Sequence, residues 1–543
     1  MRKFGGGGRS RCCFLRPTTC VTLTAAISGL CFGFEIGIID AILSMNTFRL
    51  FFGTATQPLA LDGGGDILPT GDAASTNGTI VALFLCGCCL GSLLSSYGAD
   101  AWGRKACLIL GALLFTLGGT LQALAPSLAT LCLGRLVAGL GIGILSMIAP
   151  LFISEASTRD RRGALISMQQ LLITVGIFLA SCSNSLLYSF GKGLGNAQWR
   201  AALAIQAIPG LALLLAAFAI PPSPRWLVLV GRLEEAHEVV ALLRECAVED
   251  PCVANEVEGI LEELGDAGEG AGSSSSGSKQ SSTSLLAWAT RFQALLSPGN
   301  AKRTAAACAV QFFQQWTGIN AILYFASELF LRAGVSADVA ATVLVVANSS
   351  LLVLGTLPGM WAVDRAGIGR RLLLLGGAAL MAACHCAIAV LVTAIEATPT
   401  GSPQSSALTY SAVTCMMLFT FAFSATWGPV AWVVSSEVFD LQLRAQGVAA
   451  GALVNWASNA VIGKVTPLLV QGWGGSTFFL FSAACALSGV YVYCALPETA
   501  GVALEDMGRL FKEARGPLRV QQEDSGGGGS GSERIELEEQ GLT

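Results

Sequence analysis

Apolar residues in this chain show neither the alternation of a half-buried strand nor the one-sided stripe of a soluble amphipathic helix. They come in long unbroken runs, which predict helices that cross a membrane. Twelve such runs stand near residues 19-44, 79-99, 106-125, 128-153, 164-189, 200-220, 304-332, 338-363, 372-395, 409-434, 446-470 and 475-496. Each has the roughly 20 residues that a helix needs to span the hydrocarbon core. Most connections are short. The exception, 221-303, begins amphipathic as GRLEEAHEVVALLREC and then decays into GDAGEGAGSSSSGSKQSSTS, a Gly/Ser-rich linker composition. The expected organisation is therefore a cytoplasmic segment (1-18), a six-helix bundle (19-220), a cytoplasmic linker with a disordered part (221-303), a second six-helix bundle (304-496) and a tail (497-543).

Composition agrees and removes whole classes of function. Over 543 residues, 53% are hydrophobic and 13% charged, with a mean hydropathy of +0.63; an ordinary soluble domain is about 25% charged. A soluble enzyme is excluded. The two histidines, His237 and His385, cannot build a multi-histidine zinc site or a histidine proton relay. Most of the 18 cysteines sit inside apolar runs, Cys12, Cys13, Cys246 and Cys252 being the clear exceptions, so no disulfide framework is expected. No metal, cofactor or nucleic-acid partner is implied. Among the 32 Lys and Arg, only Arg49, Lys192, Arg200 and Arg332 fall on the side opposite the termini, and only Arg135 and Lys464 fall within runs. The positive-inside rule then places both termini in the cytoplasm. The basic start enters an apolar run long enough to span and without a convincing cleavage site, so the first span is expected to act as its own insertion signal.

An internal repeat organises the runs. DAWGRK follows the second run and DRAGIGRR the eighth; SEASTRDRRG follows the fourth and SEVFDLQLRAQG the tenth. Glu155 precedes Arg162, and Glu437 precedes Arg444, by the same seven positions. Parallel six-helix repeats imply two bundles related by an axis along the membrane normal, with a substrate site between them near the midplane.

With these motifs in view the chain resembles the sugar porter family of the major facilitator superfamily over about residues 20 to 510. The shared patterns include GRLVAGLGIG, PLFISE, PPSPRWL, QQWTGINAILYF, WGPVAW and PETAG. The WGPVAW form and an acidic residue in the first span look most like plant and algal monosaccharide-proton symporters. The resemblance implies an all-α membrane protein with twelve helices in two bundles, transporting sugar with a proton and not acting as an enzyme.

Candidate chemistry follows at three places. Glu35 lies well inside the first span, where a carboxylate costs about 2.5 to 3.5 kcal/mol on insertion scales and needs a partner or a proton. Arg135 is its expected partner, and the pair at equivalent places couples protons to sugar in the family. The alternative is a fixed structural ion pair. For sugar, the amides of Gln314, Gln315 and Asn320 donate and accept together, as a polyhydroxylated ring requires, and Trp432 with Phe32 offers an aromatic face. The resemblance adds Gln170 and Asn455. It also expects an Asn where Leu352 stands, with Asn348 one turn earlier. At the cytoplasmic span ends, Asp100, Arg104, Glu155, Arg162, Asp364, Arg370, Glu437 and Arg444 alternate in sign, and in the family such residues hold the inner gate shut. The insertion of Ile368 and the presence of Pro222 depart from the pattern and are expected to weaken the second-half gate and its link to the cytoplasmic helices.

Other features have structural readings. Gly139, Gly141 and Gly143, like Gly87 and Gly91, suit helix packing; Lys464 is expected to snorkel outward; His385 is expected to be a packed helix residue. Asn77 begins a sequon too near the second span to favour glycosylation, and Cys12 and Cys13 are weak palmitoylation candidates. The leading expectation is a monomeric proton-coupled monosaccharide symporter of the plasma membrane. An uncoupled facilitator, a sugar sensor signalling through its tail, and a carrier of polyol, inositol or pentose remain open.

Overall fold

In a computed structural model of the chain, the described residues are 16–53, 71–158, 161–191, 193–269, 285–324, 335–336, 339–365, 367–398, 402–502 and 507–513. The side chain of Asn77, together with Cys12, Cys13, Lys192 and Arg332, lies outside the described residues. The fold is all-helical, with no strand among the described residues. Among the described residues, ten helical stretches have the length and hydropathy to cross a membrane. Of the other two spans, the seventh is described as two short helices, Ala301–Trp316 and Ile319–Tyr324, and the eleventh carries Lys464.

The N-terminal half runs α1 (Pro17–Ser44), α2 (Asn46–Phe51), α3 (Gly71–Ala101), α4 (Arg104–Ala123), α5 (Leu128–Ala156), α6 (Arg162–Phe190), α7 (Ala197–Ile205) and α8 (Ala207–Ala219). Pro17 begins α1, where a missing N–H costs nothing, and Ser127 caps α5 by accepting the Thr130 N–H. Glycine sets the packing inside the half. A Cβ on Gly33 would lie 1.8 Å from the Ile173 carbonyl, so α1 and α6 touch backbone to backbone. Gly87 and Gly91 of α3 likewise meet the backbone of α5 around Gly139 and Gly143. Close approach there turns the larger residues of α1, Phe32 and Ile36 among them, toward the other half.

Four helices of the long connection between the halves follow: α9 (Pro224–Leu229), α10 (Leu233–Arg244), α11 (Pro251–Glu269) and α12 (Leu285–Ala294). They are docked by specific bonds. Arg244 donates to the Ala156 carbonyl at the end of α5, Thr18 of α1 to the Leu243 carbonyl, and Trp288 to Ser96 of α3.

The C-terminal half comprises α13 (Ala301–Trp316), α14 (Ile319–Tyr324), α15 (Val345–Ala362), α16 (Gly369–Glu396), α17 (Pro403–Ala425), α18 (Trp427–Glu437), α19 (Leu441–Trp473) and α20 (Thr477–Ala495), with α21 (Met507–Glu513) beyond. Three spans read as continuous are broken, the sixth at Gln206 between α7 and α8. The seventh stops at Thr317, with Gly318 at φ 87°, before resuming as α14. The tenth breaks at Thr426 (φ −131°, ψ −85°), where the ring of Pro429 would collide with the carbonyl four residues back. Across the halves α3 packs on α19 and α6 on α15, while α14 lies against α1 and α19.

Candidate functional site

Between the halves is a cavity to which both contribute side chains. Phe32, Gln170, Gln314, Gln315, Asn320, Trp432 and Asn455 all line it, so five different spans bring the seven expected residues together. The amides of Gln314, Gln315, Asn320 and Asn455 form one network. Gln314 donates to the carbonyls of Trp427 and Gly428 at the α17–α18 break, at 3.1 and 2.9 Å. Asn455 donates to Gln314 at 2.7 Å, Gln315 donates to Asn455 at 3.0 Å, and Asn320 donates to Gln315. The two amides flanking the break of the seventh span are thus tied to each other and to the eleventh. Such a chain presents preset donors and acceptors to a hydroxylated ligand.

The rest of the wall is apolar. Ile36 joins Phe32 one turn along α1, and Ile173, Thr174 and Ile177 follow Gln170 at helical spacing on α6. These residues were not singled out in the sequence, although the i, i+3, i+4, i+7 face of Gln170 is a signal that identifies them. Phe423 and Leu352 also line the cavity. Leu352 therefore occupies the wall where the family pattern expects an amide, and Asn348 is buried outside that wall. Gln311, one turn before Gln314, supports the network from behind by accepting from Asn455 at 2.7 Å and donating to Ser435 at 3.0 Å. Trp456 was missed too. It packs on Phe32 with ring centroids 4.9 Å apart and donates to Ser146 of α5 at 3.1 Å, bridging the halves.

Beside this cavity Glu35 and Arg135 form a fully buried ion pair. Only one carboxylate oxygen of Glu35 is engaged; Oε2 has no hydrogen-bond partner among the described residues. Arg135 also donates to the Ile80 carbonyl at 3.3 Å and lies over the Phe84 ring, 4.6 Å from its centroid. Phe84 in turn meets Trp456 edge-on. Glu35 is adjacent in sequence to Ile36, so one turn of α1 carries both the acid and part of the cavity wall.

At the end of the bundles that faces α9 to α12 the repeated motifs build two related clusters. In the first, Arg104 binds Glu155 at 2.7 Å, donates to the Ala99 carbonyl and lies 3.6 Å from Asp100. Ser223 donates to the other Glu155 oxygen at 2.5 Å. In the second, Arg370 binds Glu437 at 3.1 Å and Asp364 at 3.0 Å. Each cluster reaches the opposite half. Asp364 accepts the Ala164 N–H at the start of α6 at 2.7 Å, where an anion also meets the positive end of the helix. Asp100 accepts from Gln446 of α19 at 2.8 Å and from Arg291 of α12 at 2.7 Å. Arg162 and Arg444 are buried in the same layer, Arg444 donating to the Phe439 carbonyl and Arg162 within electrostatic reach of Glu437.

The expected weakening of the second cluster is not seen in its geometry. The inserted Ile368 is absorbed by Gly367 and Gly369, at φ 87° and 63°, and the Glu498 carboxylate accepts the N–H groups of Arg370 and Arg371. In the first cluster Ser223, next to Pro222, supplies the link to Glu155. Lys464 is exposed on α19 beside Gly78 of α3.

Comparison with known proteins places this geometry. The family model for "Sugar (and other) transporter" matches residues 21–511. The probable glucose transporter rco-3 of Neurospora crassa is 31% identical over 507 residues, covering 91% of this chain and 79% of that protein. The high-affinity hexose transporter HXT6 of Saccharomyces cerevisiae is 31% identical, covering 90% and 80%. The high glucose sensor RGT2 of the same yeast is 31% identical over 91% of this chain, which spans 60% of the sensor's length. These relatives are fungal, whereas single motifs in the chain look most like plant and algal symporters. Among solved structures, the proton:xylose symporter XylE bound to 6-bromo-6-deoxy-D-glucose superposes with a TM-score of 0.76 at 25% identity, over 91% of this chain and 99% of that one.

Proposed function

Because the chain belongs to the sugar transporter family of the major facilitator superfamily, an integral membrane carrier and not an enzyme, we propose that it is a proton-coupled monosaccharide symporter. Hexose is the expected cargo, moved by rocking alternating access of the two bundles, 19-220 and 304-496. The observation that carries this reading is the buried Glu35–Arg135 pair, with one carboxylate oxygen unpartnered among the described residues, on the same turn of α1 as two cavity residues. While Glu35 is ionised, its charge ties α1 to α5. A proton on Glu35 cancels that attraction and frees α1 to reposition Phe32 and Ile36 against the sugar. Sugar binding and protonation then favour the same arrangement of α1, which is the reciprocity that coupling requires.

The seven cavity residues supply recognition on this reading: amides for the hydroxyls, Trp432 and Phe32 for the apolar face of the ring. The eight cytoplasmic residues Asp100, Arg104, Glu155, Arg162, Asp364, Arg370, Glu437 and Arg444 close the inner side while the site faces outward. The carrier works as a monomer in the plasma membrane with both termini cytoplasmic. What supports this localisation is the basic bias of the terminal side.

The test is uptake of labelled glucose in yeast lacking hexose transporters, at acidic and alkaline external pH, with and without a protonophore, for the parent and Glu35→Gln. Accumulation that collapses with protonophore and is lost in the variant is the expected result. Flux that only equilibrates and survives Glu35→Gln would overturn the coupling and leave a facilitator. The similarity to RGT2 favours a second reading, a sugar sensor, for which sugar binding without flux in purified protein would speak.

A further inference from the structure

His385 lies fully buried in α16, 16 residues from its cytoplasmic start, and its surroundings are more specific than those of a packed helix residue. Its Nε2 stands 2.7 Å from the Thr317 carbonyl. A carbonyl can only accept, so Nε2 carries a proton and donates, while Nδ1 has no partner among the described residues. The imidazole is caged by Phe419, Phe478 and Phe481, at centroid distances of 4.2, 5.8 and 5.7 Å.

The carbonyl it holds is at the break of the seventh span. Thr317 is the last residue of the α13 geometry, and Gly318 at φ 87° redirects the chain into α14. A helix break inside a membrane frees backbone acceptors that water cannot satisfy, so each needs a protein donor. The same cage closes on the turn itself: a Cβ on Gly318 would come within 2.8 Å of the Phe481 ring. On the two sides of this turn hang Gln315 and Asn320, bonded to each other and facing the cavity, and α14 lies across it against α1.

We propose that His385 is a positioning residue for the sugar cavity: its Nε2–H pins the Thr317 carbonyl in the broken-helix turn that sets Asn320 against Gln315 and seats α14 over the site. The function of the cavity rests on the transport reading, but the pinning of α14 does not.

Two arms keep those failures apart. In the first, the full chain in lipid nanodiscs without sugar is followed by hydrogen exchange across residues 318–324, for the parent, His385→Phe, His385→Gln and His385→Asn. Gln places an amide N–H where Nε2 was, whereas Asn places it near Nδ1, short of the carbonyl. Exchange about fivefold faster in the Phe and Asn variants, the shift that one lost net hydrogen bond produces, with near-parental exchange in Gln, is the expected pattern. Equal exchange in all four, or Gln behaving like Phe, would overturn the proposal. In the second arm, glucose uptake should show a half-saturation constant raised about fivefold in Asn and Phe, with maximal rate per transporter at the surface changed less, and restored in Gln. A fall in maximal rate alone would count against positioning. If the parent itself moves no sugar, the transport reading fails while the exchange arm still decides the role of His385.

Discussion

Gly163→Ala isolates the contact between the halves at the charged clusters, which the proposed function places on the cytoplasmic side. Gly163 is the second residue of α6, and a Cβ there would lie 2.3 Å from Oδ1 of Asp364 and 2.8 Å from Nη2 of Arg370, both in the opposite half. Carbon and oxygen tolerate no approach much closer than 3.4 Å, so the carboxylate must withdraw by roughly 1 Å. That retreat lengthens the 2.7 Å bond from the Ala164 N–H beyond hydrogen-bond range and moves the charge off the α6 N-terminus. A hydrogen bond to a charged group contributes about 1.5 to 3 kcal/mol, so about 2 kcal/mol of closure is lost. The balance between closed and open cytoplasmic faces shifts by roughly 30-fold toward open. The assay is the rate at which a membrane-impermeant maleimide, applied to the cytoplasmic face of inside-out vesicles, labels a cysteine introduced at Leu352 on the cavity wall, above the background of the parent. The mechanism also demands non-additivity: in an Asp364→Ala background, Gly163→Ala should add less than about 0.5 kcal/mol. Labelling unchanged by Gly163→Ala, or an increment undiminished without Asp364, would refute the reasoning.

Other outcomes follow from the same geometry. Gln315→Ala removes the amide that joins Asn320 to Asn455 and should raise the half-saturation constant for glucose about tenfold at unchanged surface expression; an unaltered constant would show that the network does not meet the ligand. Leu352→Asn puts an amide into the wall at the position where the family pattern expects one, and should lower that constant about fivefold if a sugar hydroxyl takes the new bond, as measured by uptake kinetics. Gly33→Ala drives a methyl into the Ile173 carbonyl and should cost about 1 to 3 kcal/mol by overpacking, read as a lowered melting temperature in detergent. A melting curve equal to the parent's would mean that α1 and α6 can separate freely. Ser223→Ala deprives Glu155 of a buried donor and α9 of its cap, and should speed proteolysis of the cytoplasmic helices without unfolding the bundles.

Membrane insertion, the twelve spans, the six-plus-six repeat and the paired charged motifs are legible in the sequence, because a bilayer imposes length and hydropathy on each span separately. The candidate residues were legible for a different reason: an ionisable or amide group inside an apolar run is costly, so each one stands out. Glu35, Arg135, Gln314 and Gln315 needed no tertiary information to be noticed. Their company did. Ile36, Ile173 and Phe423 are ordinary apolar residues that only the assembled cavity distinguishes from lipid-facing ones. Leu352 on the wall and Asn348 off it differ by one helical turn, which the rotation of α15 decides.

Helix breaks show the same division. Hydropathy is blind to backbone dihedrals, so the seventh and tenth spans read as continuous, although Gly318 and Pro429 were visible; only packing reveals where the freed carbonyl of Thr317 finds a donor, and that Gln314 reaches the carbonyls of Trp427 and Gly428 just past the other break. His385 looked like filler because its partner is a backbone atom 68 residues away, and backbone atoms have no letter in a sequence. The inserted Ile368 misled for the complementary reason: an extra residue looks disruptive until two positive-φ glycines take up its length and leave Arg370 in place. What each helix must be made of is a local property, set by the solvent it crosses. Which atoms meet between helices depends on rotation, register and close approach, and those exist only once both halves are packed.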